Sequence, residues 1–92
     1  MKLNKNVIKD VINYVIENQT FDLDAGQMTP ILLTSIVKDL SNKDQNKMEE
    51  VACAIVRCVN ENLVLSNYPR MPWGSAEITD VTFRGFEWLE NN

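Results

Sequence analysis

The segment from Lys47 to Leu65 constrains the fold of this chain more than any other stretch. Its apolar residues recur at the spacing of an amphipathic helix, and they are Met48, Val51, Ala52, Ile55, Val56, Val59 and Leu63. The last part of the segment, residues 63–65, is a short apolar run typical of a strand. The segment therefore predicts a long central helix that leads directly into a β-sheet.

The N-terminal part of the chain predicts a first helix. Its apolar residues recur every four positions, which fits a helix and not a strand, and they are Val7, Ile8, Val11, Ile12, Val15 and Ile16. Polar side chains fill the intervening positions, so the predicted helix from Asn4 to Asn18 has one buried and one exposed face. Residues 20–24 then alternate between polar and apolar, which predicts a very short strand.

A second helix is predicted to begin at Thr29 and Pro30. Threonine caps the exposed N–H groups of a helix, and proline fits the first helical position because its missing N–H is not needed there. The residues expected on the buried face are Leu33, Ile36, Val37 and Leu40. A polar turn over residues 41–44 ends the predicted helix.

The start of the central helix also carries a signal. Asn46 and Glu49 have the spacing of a capping box, so we expect the helix to begin between Asp44 and Lys47. Two consecutive helices joined by a short turn predict a helix-turn-helix.

The central helix is followed by a predicted β-hairpin. Two prolines and a glycine interrupt regular structure between Tyr68 and Ser75, which predicts a loop. Residues 76–79 alternate as a strand does and can pair with the strand at residues 63–67. The loop would then be the wing of this hairpin.

A C-terminal helix is predicted from Phe83 to Glu90, capped by Asp80 or Thr82. The inward side chains expected on it are Phe86 and Leu89. The whole chain, residues 1–92, is therefore predicted to be one α+β domain that is mostly helical. Its three helices, β-hairpin wing and C-terminal helix have the order of a winged helix-turn-helix.

The C-terminal third makes this prediction more specific. Residues 50–65 and the later segment AEITDVTFRGFEWL resemble small winged-helix proteins of phages and prophages, most of them known as domains of unknown function. The positions that carry the resemblance are Val81, Thr82, Gly85, Trp88 and Leu89. Phe86 departs from the pattern, since those proteins often have a polar residue there. The resemblance implies a winged-helix domain from a mobile element.

Charge and residue types disfavour several classes of function. Thirteen acidic and nine basic side chains give a net charge of −4, whereas nucleic-acid-binding domains usually show a basic stripe. The chain has no histidine, so we expect neither an enzyme nor a metal or cofactor site. Cys53 and Cys58 cannot pair with each other on one helix and are interpreted as buried apolar residues.

Hydropathy predicts a location as well. No apolar run approaches the roughly 20 residues that a membrane helix needs. The N-terminus lacks the apolar core of a signal peptide. The expected location is cytoplasmic.

Two surfaces are candidates for binding a partner. The first is the loop, where Tyr68, Arg70, Met71 and Trp73 are residue types found at protein-binding hot spots, on a segment stiffened by proline. The alternative interpretation of Trp73 is that it folds back over the hairpin. The second surface is the outward side of the central helix, predicted to contain Lys47, Glu50, Ala54, Arg57 and Glu61, whose charges cancel.

These features lead to three hypotheses. The first is a small, acidic, non-enzymatic winged-helix protein that binds another protein, with an anti-CRISPR-like inhibitor of an RNA-guided nuclease as one concrete form. Some of its carboxylates would then meet a basic groove of the partner, although solvated faces are the simpler interpretation. The second is a phage transcriptional regulator that binds DNA as a homodimer through Lys47, Arg57 and Arg70. The third is a structural subunit that associates only with itself.

Overall fold

A computed structural model describes residues 4–92 of the chain. These residues form four helices and five strands in the order α1 (Lys5–Asn18), β1 (Phe21–Asp22), β2 (Gln27–Met28), β3 (Ile31–Leu32), α2 (Leu33–Ser41), α3 (Gln45–Asn60), β4 (Val64–Ser66), β5 (Glu77–Val81) and α4 (Phe83–Asn91). About half of the chain is helical, and the strands form two small antiparallel sheets. The predicted α+β class is confirmed.

The core lies where α1, α2 and α3 pack against the three-stranded sheet. The fully buried side chains of the helices include Val11, Ile12, Leu33, Ile36 and Ile55. The sheet and the segment before it contribute further buried residues, and all of them belong to one cluster. Within residues 4–92, no helix combines the length and the apolar character needed to cross a membrane.

The predicted passage from the central helix into a strand is confirmed, and its cause is local. The backbone N–H of Leu63 donates to the carbonyl of Cys58 at 2.9 Å, and that of Asn62 donates to Val59 at 3.2 Å. Asn62 has a left-handed φ of 59°. These two bonds around a left-handed residue form a Schellman motif, which closes a helix and turns the chain sharply. β4 therefore begins only a few residues after α3.

The start of α3 also agrees with the sequence, but the capping residue differs. The Asp44 carboxylate accepts hydrogen bonds from the N–H groups of Asn46 at 3.0 Å and Lys47 at 3.4 Å. Asp44 is thus the N-cap, and Asn46 lies within the first turn. The boundary predicted between Asp44 and Lys47 is confirmed, and the capping box is not formed.

The predicted start of α2 at Thr29 and Pro30 is wrong. Thr29 donates its N–H to the carbonyl of Thr20 at 2.7 Å, which closes the β1–β2 hairpin. Ile31 and the next residue then form β3, which pairs with β5, and α2 begins at Leu33. The two residues of β3 gain ladder bonds in the sheet that a longer helix would not supply, so pairing prevails over the helix-start signal.

The three-stranded sheet contains the predicted hairpin. Its strand order is β3-β5-β4, and Val64 of β4 lies opposite Val81 of β5 in the antiparallel register. The chain between them is the predicted loop. Ser66 and Asn67 fix its base, because Ser66 donates its hydroxyl to the Glu77 carbonyl at 2.7 Å and Asn67 accepts the Glu77 N–H at 2.8 Å.

The C-terminal helix packs closely against Leu63, between α3 and β4, and against β5. Thr82 is its N-cap, as one of the two predictions had it, and accepts the N–H of Gly85 at 3.0 Å. Gly85 is buried, and Trp88 and Leu89 pack against the core. The expectation that Phe86 faces inward is wrong, since it is 43% exposed. The face of α4 that contacts the rest of the domain is the one that contains Gly85, because only a residue without a side chain can approach Leu63 this closely.

Candidate functional site

A groove of about 710 Å³ lies along the exposed side of α3. We call it the α3 groove. The first residues of α1, several residues of α3 and Trp73 of the loop line it, and the apolar lining residues of α3 include Ala52, Cys53 and Val56. The α3 groove therefore joins parts of the two candidate surfaces of the sequence.

The apolar lining has a simple origin in the sequence. Residues 51–56, VACAIV, are six consecutive apolar residues in a helix with 3.6 residues per turn, so they cover every side of it. Val51 and Ile55 are fully buried in the core. The remaining apolar positions on the other side, Ala52, Cys53 and Val56, are only partly buried. The apolar spacing predicted a buried position for Ala52 and Val56, but both are only partly buried and line the groove.

Polar groups lie at both ends of the groove. Glu49 and Glu50 lie in the first half of α3 and are exposed, and the Asn4 amide donates to the Glu50 carboxylate at 3.5 Å. Arg57 lies in the second half, with its guanidinium 3.7 Å from the Glu61 carboxylate, one helical turn further along. Since Glu61 partly neutralises Arg57, the groove is acidic towards the N-terminal end of α3.

Trp73 is folded against the domain and also lines the α3 groove. Its ring lies edge-to-face with that of Tyr68, with the centroids 5.4 Å apart and the planes at 86°. Both aromatic side chains are partly buried and pack against the core. Trp73 also lines the α3 groove. The aromatic pair thus fixes the loop against the domain and presents part of the tryptophan to the groove.

The structure brings some of the predicted site residues together and separates others. Glu50, Arg57 and Trp73 line the α3 groove. Arg70 and Met71 are exposed at the far part of the loop and are not among its lining residues. The predicted site is therefore divided between the groove and the loop.

The predicted outward face of α3 is also divided. Ala54 was expected to face outward, but it is only 6% exposed and belongs to the core, although it also forms part of the groove lining. Lys47 is partly buried and does not line the groove. Glu61 lines a smaller depression formed with α4, beside Arg84 and Trp88.

The two thiols differ in environment. Cys58 is fully buried, and burial raises the pKa of its thiol to about 12. Cys53 is partly exposed in the groove, so the expectation of two buried cysteines holds only for Cys58. In the part of the chain from residue 4 onwards, no three or more His, Cys, Asp or Glu side chains are grouped to hold a metal ion.

The groove was not predicted as a site, although the sequence contains a signal for it. A helix with one buried face needs only an apolar stripe, and the six-residue run at 51–56 exceeds it. Comparisons with protein-family models, curated proteins and solved structures found no match for this chain.

Proposed function

We propose that this chain is a small, non-enzymatic protein-binding module of the winged-helix type, and that the α3 groove receives part of its protein partner. The observation that carries the proposal is the partly exposed apolar lining of the groove beside Trp73. An apolar concave surface of this kind, with a few polar groups at its margins, is typical of a binding site.

The order of elements supports the winged-helix assignment. A helix, a short strand, two helices joined by a tight turn and a β-hairpin follow one another in α1, β3, α2, α3, β4 and β5. The first of these strands lies at one edge of the sheet, next to the last, in the order β3-β5-β4. In this arrangement the outer side of α3 corresponds to the side that enters the major groove in DNA-binding members.

The chemistry of that side favours a protein over DNA. Phosphate backbones are bound by lysine and arginine, and most of the affinity comes from neutralising their charge. The α3 groove instead offers Ala52, Cys53 and Val56, with Glu49 and Glu50 beside them. Two carboxylates would repel phosphates, and the apolar side chains would gain nothing from contact with them.

The partner proposed from the resemblance to phage proteins is a nucleic-acid-binding factor of the host or phage. An RNA-guided nuclease inhibited in an anti-CRISPR-like way is one concrete form. An acidic groove supports this choice, because such factors present basic surfaces that an acidic protein can occupy.

The alternative is a transcriptional regulator that binds DNA as a homodimer. The order of elements favours it, and Lys47, Arg57 and Arg70 would make its basic contacts. The ion pair between Arg57 and Glu61 weakens this alternative, because the arginine would have to leave its carboxylate to reach a phosphate.

A DNA titration separates the two proposals. Fluorescence anisotropy against random duplex DNA is measured at low and at near-physiological salt, with light scattering to give the mass of the protein. We expect no binding at either salt concentration. Micromolar, strongly salt-dependent binding by a dimer would overturn the protein-binding proposal in favour of the regulator.

A crosslinking experiment tests the groove directly. Cys53 is labelled with a thiol-reactive photo-crosslinker in cells that contain the partner, and the crosslinked products are identified. We expect a product that is lost in Val56→Arg and kept in Phe83→Arg, whose position is 94% exposed and lies outside the groove. Equal crosslinking in both variants would count against the groove.

A further inference from the structure

We infer that the occupant of the α3 groove is an amphipathic helix of the partner protein that carries lysine or arginine along one flank. This inference rests on the proposed function and adds the conformation and charge of the bound segment. It follows from the helical lining of the groove, from its length and side-chain sizes, and from its carboxylates.

The helical lining decides the conformation of the occupant. The lining residues belong to α1 and α3, except for Asn4, which caps α1, and Trp73. The N–H and C=O groups within a helix already bond to each other, so these surfaces cannot pair with an extended strand. An occupant that loses water from its own backbone must therefore satisfy that backbone internally, which a helix does.

The dimensions agree with a helix. The lining residues of α3 run from Asn46 to Asn60, which is about 20 Å at 1.5 Å per residue. A helix of four turns matches this length. Ala52 and Cys53 are small enough for another helix to approach closely, while Val56 and Trp73 offer larger apolar surfaces for one or two anchoring side chains.

The charges decide the sign of the flank. Glu49 and Glu50 lie in the groove, and among residues 4–92 the cation that lines it is Arg57, which has Glu61 at 3.7 Å. An acidic occupant would meet two carboxylates with little compensation, whereas lysine or arginine on one flank would neutralise them. The amides of Asn4, Asn46 and Asn60 accept partners of either sign, so they do not alter this preference.

A peptide selection tests the inference without knowledge of the natural partner. A displayed library of helix-favouring peptides, randomised at both apolar and polar positions, is selected for binding to the whole protein and counter-selected against Val56→Arg. The enriched peptides are synthesised and titrated. We expect amphipathic sequences with apolar residues at positions i, i+3, i+4 and i+7 and with lysine or arginine on one side.

One spectroscopic and one chemical measurement locate the bound peptide. Trp88 lies outside the α3 groove, so it is replaced by phenylalanine to leave Trp73 as the tryptophan that is observed. The fluorescence of Trp73 should change on binding, because Trp73 lines the groove. Modification of Cys53 by a maleimide should slow at least fivefold, whereas Cys58 is buried and does not contribute to the signal in the native protein.

A matched pair of variants tests the charge preference. Glu49→Lys with Glu50→Lys reverses two charges in the groove, and Glu87→Lys with Glu90→Lys reverses two charges on α4. Both variants raise the net charge from −4 to 0. We expect at least tenfold weaker peptide binding for the first pair and less than a twofold change for the second.

The outcomes separate the inference from the proposal beneath it. Peptides that protect Cys53 but are acidic, or extended by circular dichroism, would overturn the inference and leave a protein-binding groove. If the selection enriches no peptide that protects Cys53, or if both double variants weaken binding equally, the basic-helix inference fails. If, in addition, Val56→Arg and Phe83→Arg crosslink equally, the groove itself is not the binding site.

Discussion

Small residues serve opposite purposes at the base of α4 and along α3. At the junction with α4, Gly85 lies so close that a methyl group there would overlap the Leu63 carbonyl oxygen and come within 2.8 Å of Val81 Cγ1. At the α3 groove, Ala52 and Cys53 leave open space beside Trp73. A small residue therefore permits close packing in one place and an empty surface in the other.

The difference shows what each region contributes. Contacts at the Gly85 junction are internal to the domain, so their loss should appear in the free energy of unfolding. The side chains of α3 that line the groove are only partly buried among residues 4–92, so changes there should appear in binding and leave stability almost unchanged. The four predictions that follow are ordered by the size of their expected effect.

The largest effect is expected for Gly85→Ala. The new methyl group meets backbone at Leu63, which cannot move without disturbing the passage from α3 to β4. We expect a loss of about 4 kcal/mol in the free energy of unfolding, measured by urea denaturation, despite the higher helix propensity of alanine. Gly74→Ala is the matched control, because nothing lies within 4 Å of a methyl group there. A loss below about 1 kcal/mol at Gly85 would show that the junction is not tightly packed.

Alkaline pH should lower the stability of the domain through the buried thiol of Cys58. Burial raises the pKa of Cys58 from 9.0 to about 12, so its contribution to stability is complete below pH 9 and is lost as the pH rises to 12. We expect the free energy of unfolding to fall by an amount on the order of 3 kcal/mol over this interval. Urea denaturation at each pH measures this change. Cys58→Ala should flatten the dependence.

Tyr14 contributes to the same interval. Burial and, next, the hydrogen bond that its hydroxyl donates to Asp39 raise the pKa of Tyr14 to about 12. The Cys58 comparison is therefore made in a Tyr14→Phe background. An unchanged slope in Cys58→Ala would contradict the assignment of the effect to the buried thiol.

A smaller effect is expected at the N-terminus of α3. Asp44→Ala removes the acceptor for the N–H groups of Asn46 and Lys47, which should cost about 1 kcal/mol of unfolding free energy. Asn46→Ala should cost less than about 0.3 kcal/mol, because Asn46 is not the cap. Thermal denaturation of the two variants in parallel measures both. Equal losses of unfolding free energy in the two variants would indicate that Asn46 does cap the helix, as the predicted capping box requires.

The smallest effect on stability is expected in the groove. Ala52→Leu adds a larger side chain to a partly exposed position, so the free energy of unfolding should change by less than about 0.5 kcal/mol. The same variant should weaken binding of the selected peptides at least tenfold by filling space next to Cys53. A large loss of stability would mean that Ala52 belongs to the core, as the sequence pattern suggested.

Much of the fold was predictable because its signals are local. The period of the apolar residues in α1 and α3, the cap at Thr82 and the breakers of the loop each act over a few residues. β3 was missed because a strand of two residues has no detectable period, and its existence depends on pairing with the distant β5.

The candidate site was less predictable for a physical reason. An apolar residue on a helix looks the same in sequence whether it enters the core or lines a groove. The distinction for Val56 depends on where α1 and the loop lie around α3, which is a tertiary property. Trp73 joined the site only because its pairing with Tyr68 brings the loop against the domain.

Thr82 links three parts of the chain in a way that bears on how the domain opens. Its hydroxyl donates to the Asn62 carbonyl at 2.7 Å and accepts from Gly85, while its own N–H donates to the Leu63 carbonyl at 3.1 Å. These bonds hold the N-terminal end of α4 against the turn that follows α3. The amide proton of Gly85 should therefore exchange with solvent at the rate set by global unfolding and not by fraying of the C-terminal helix.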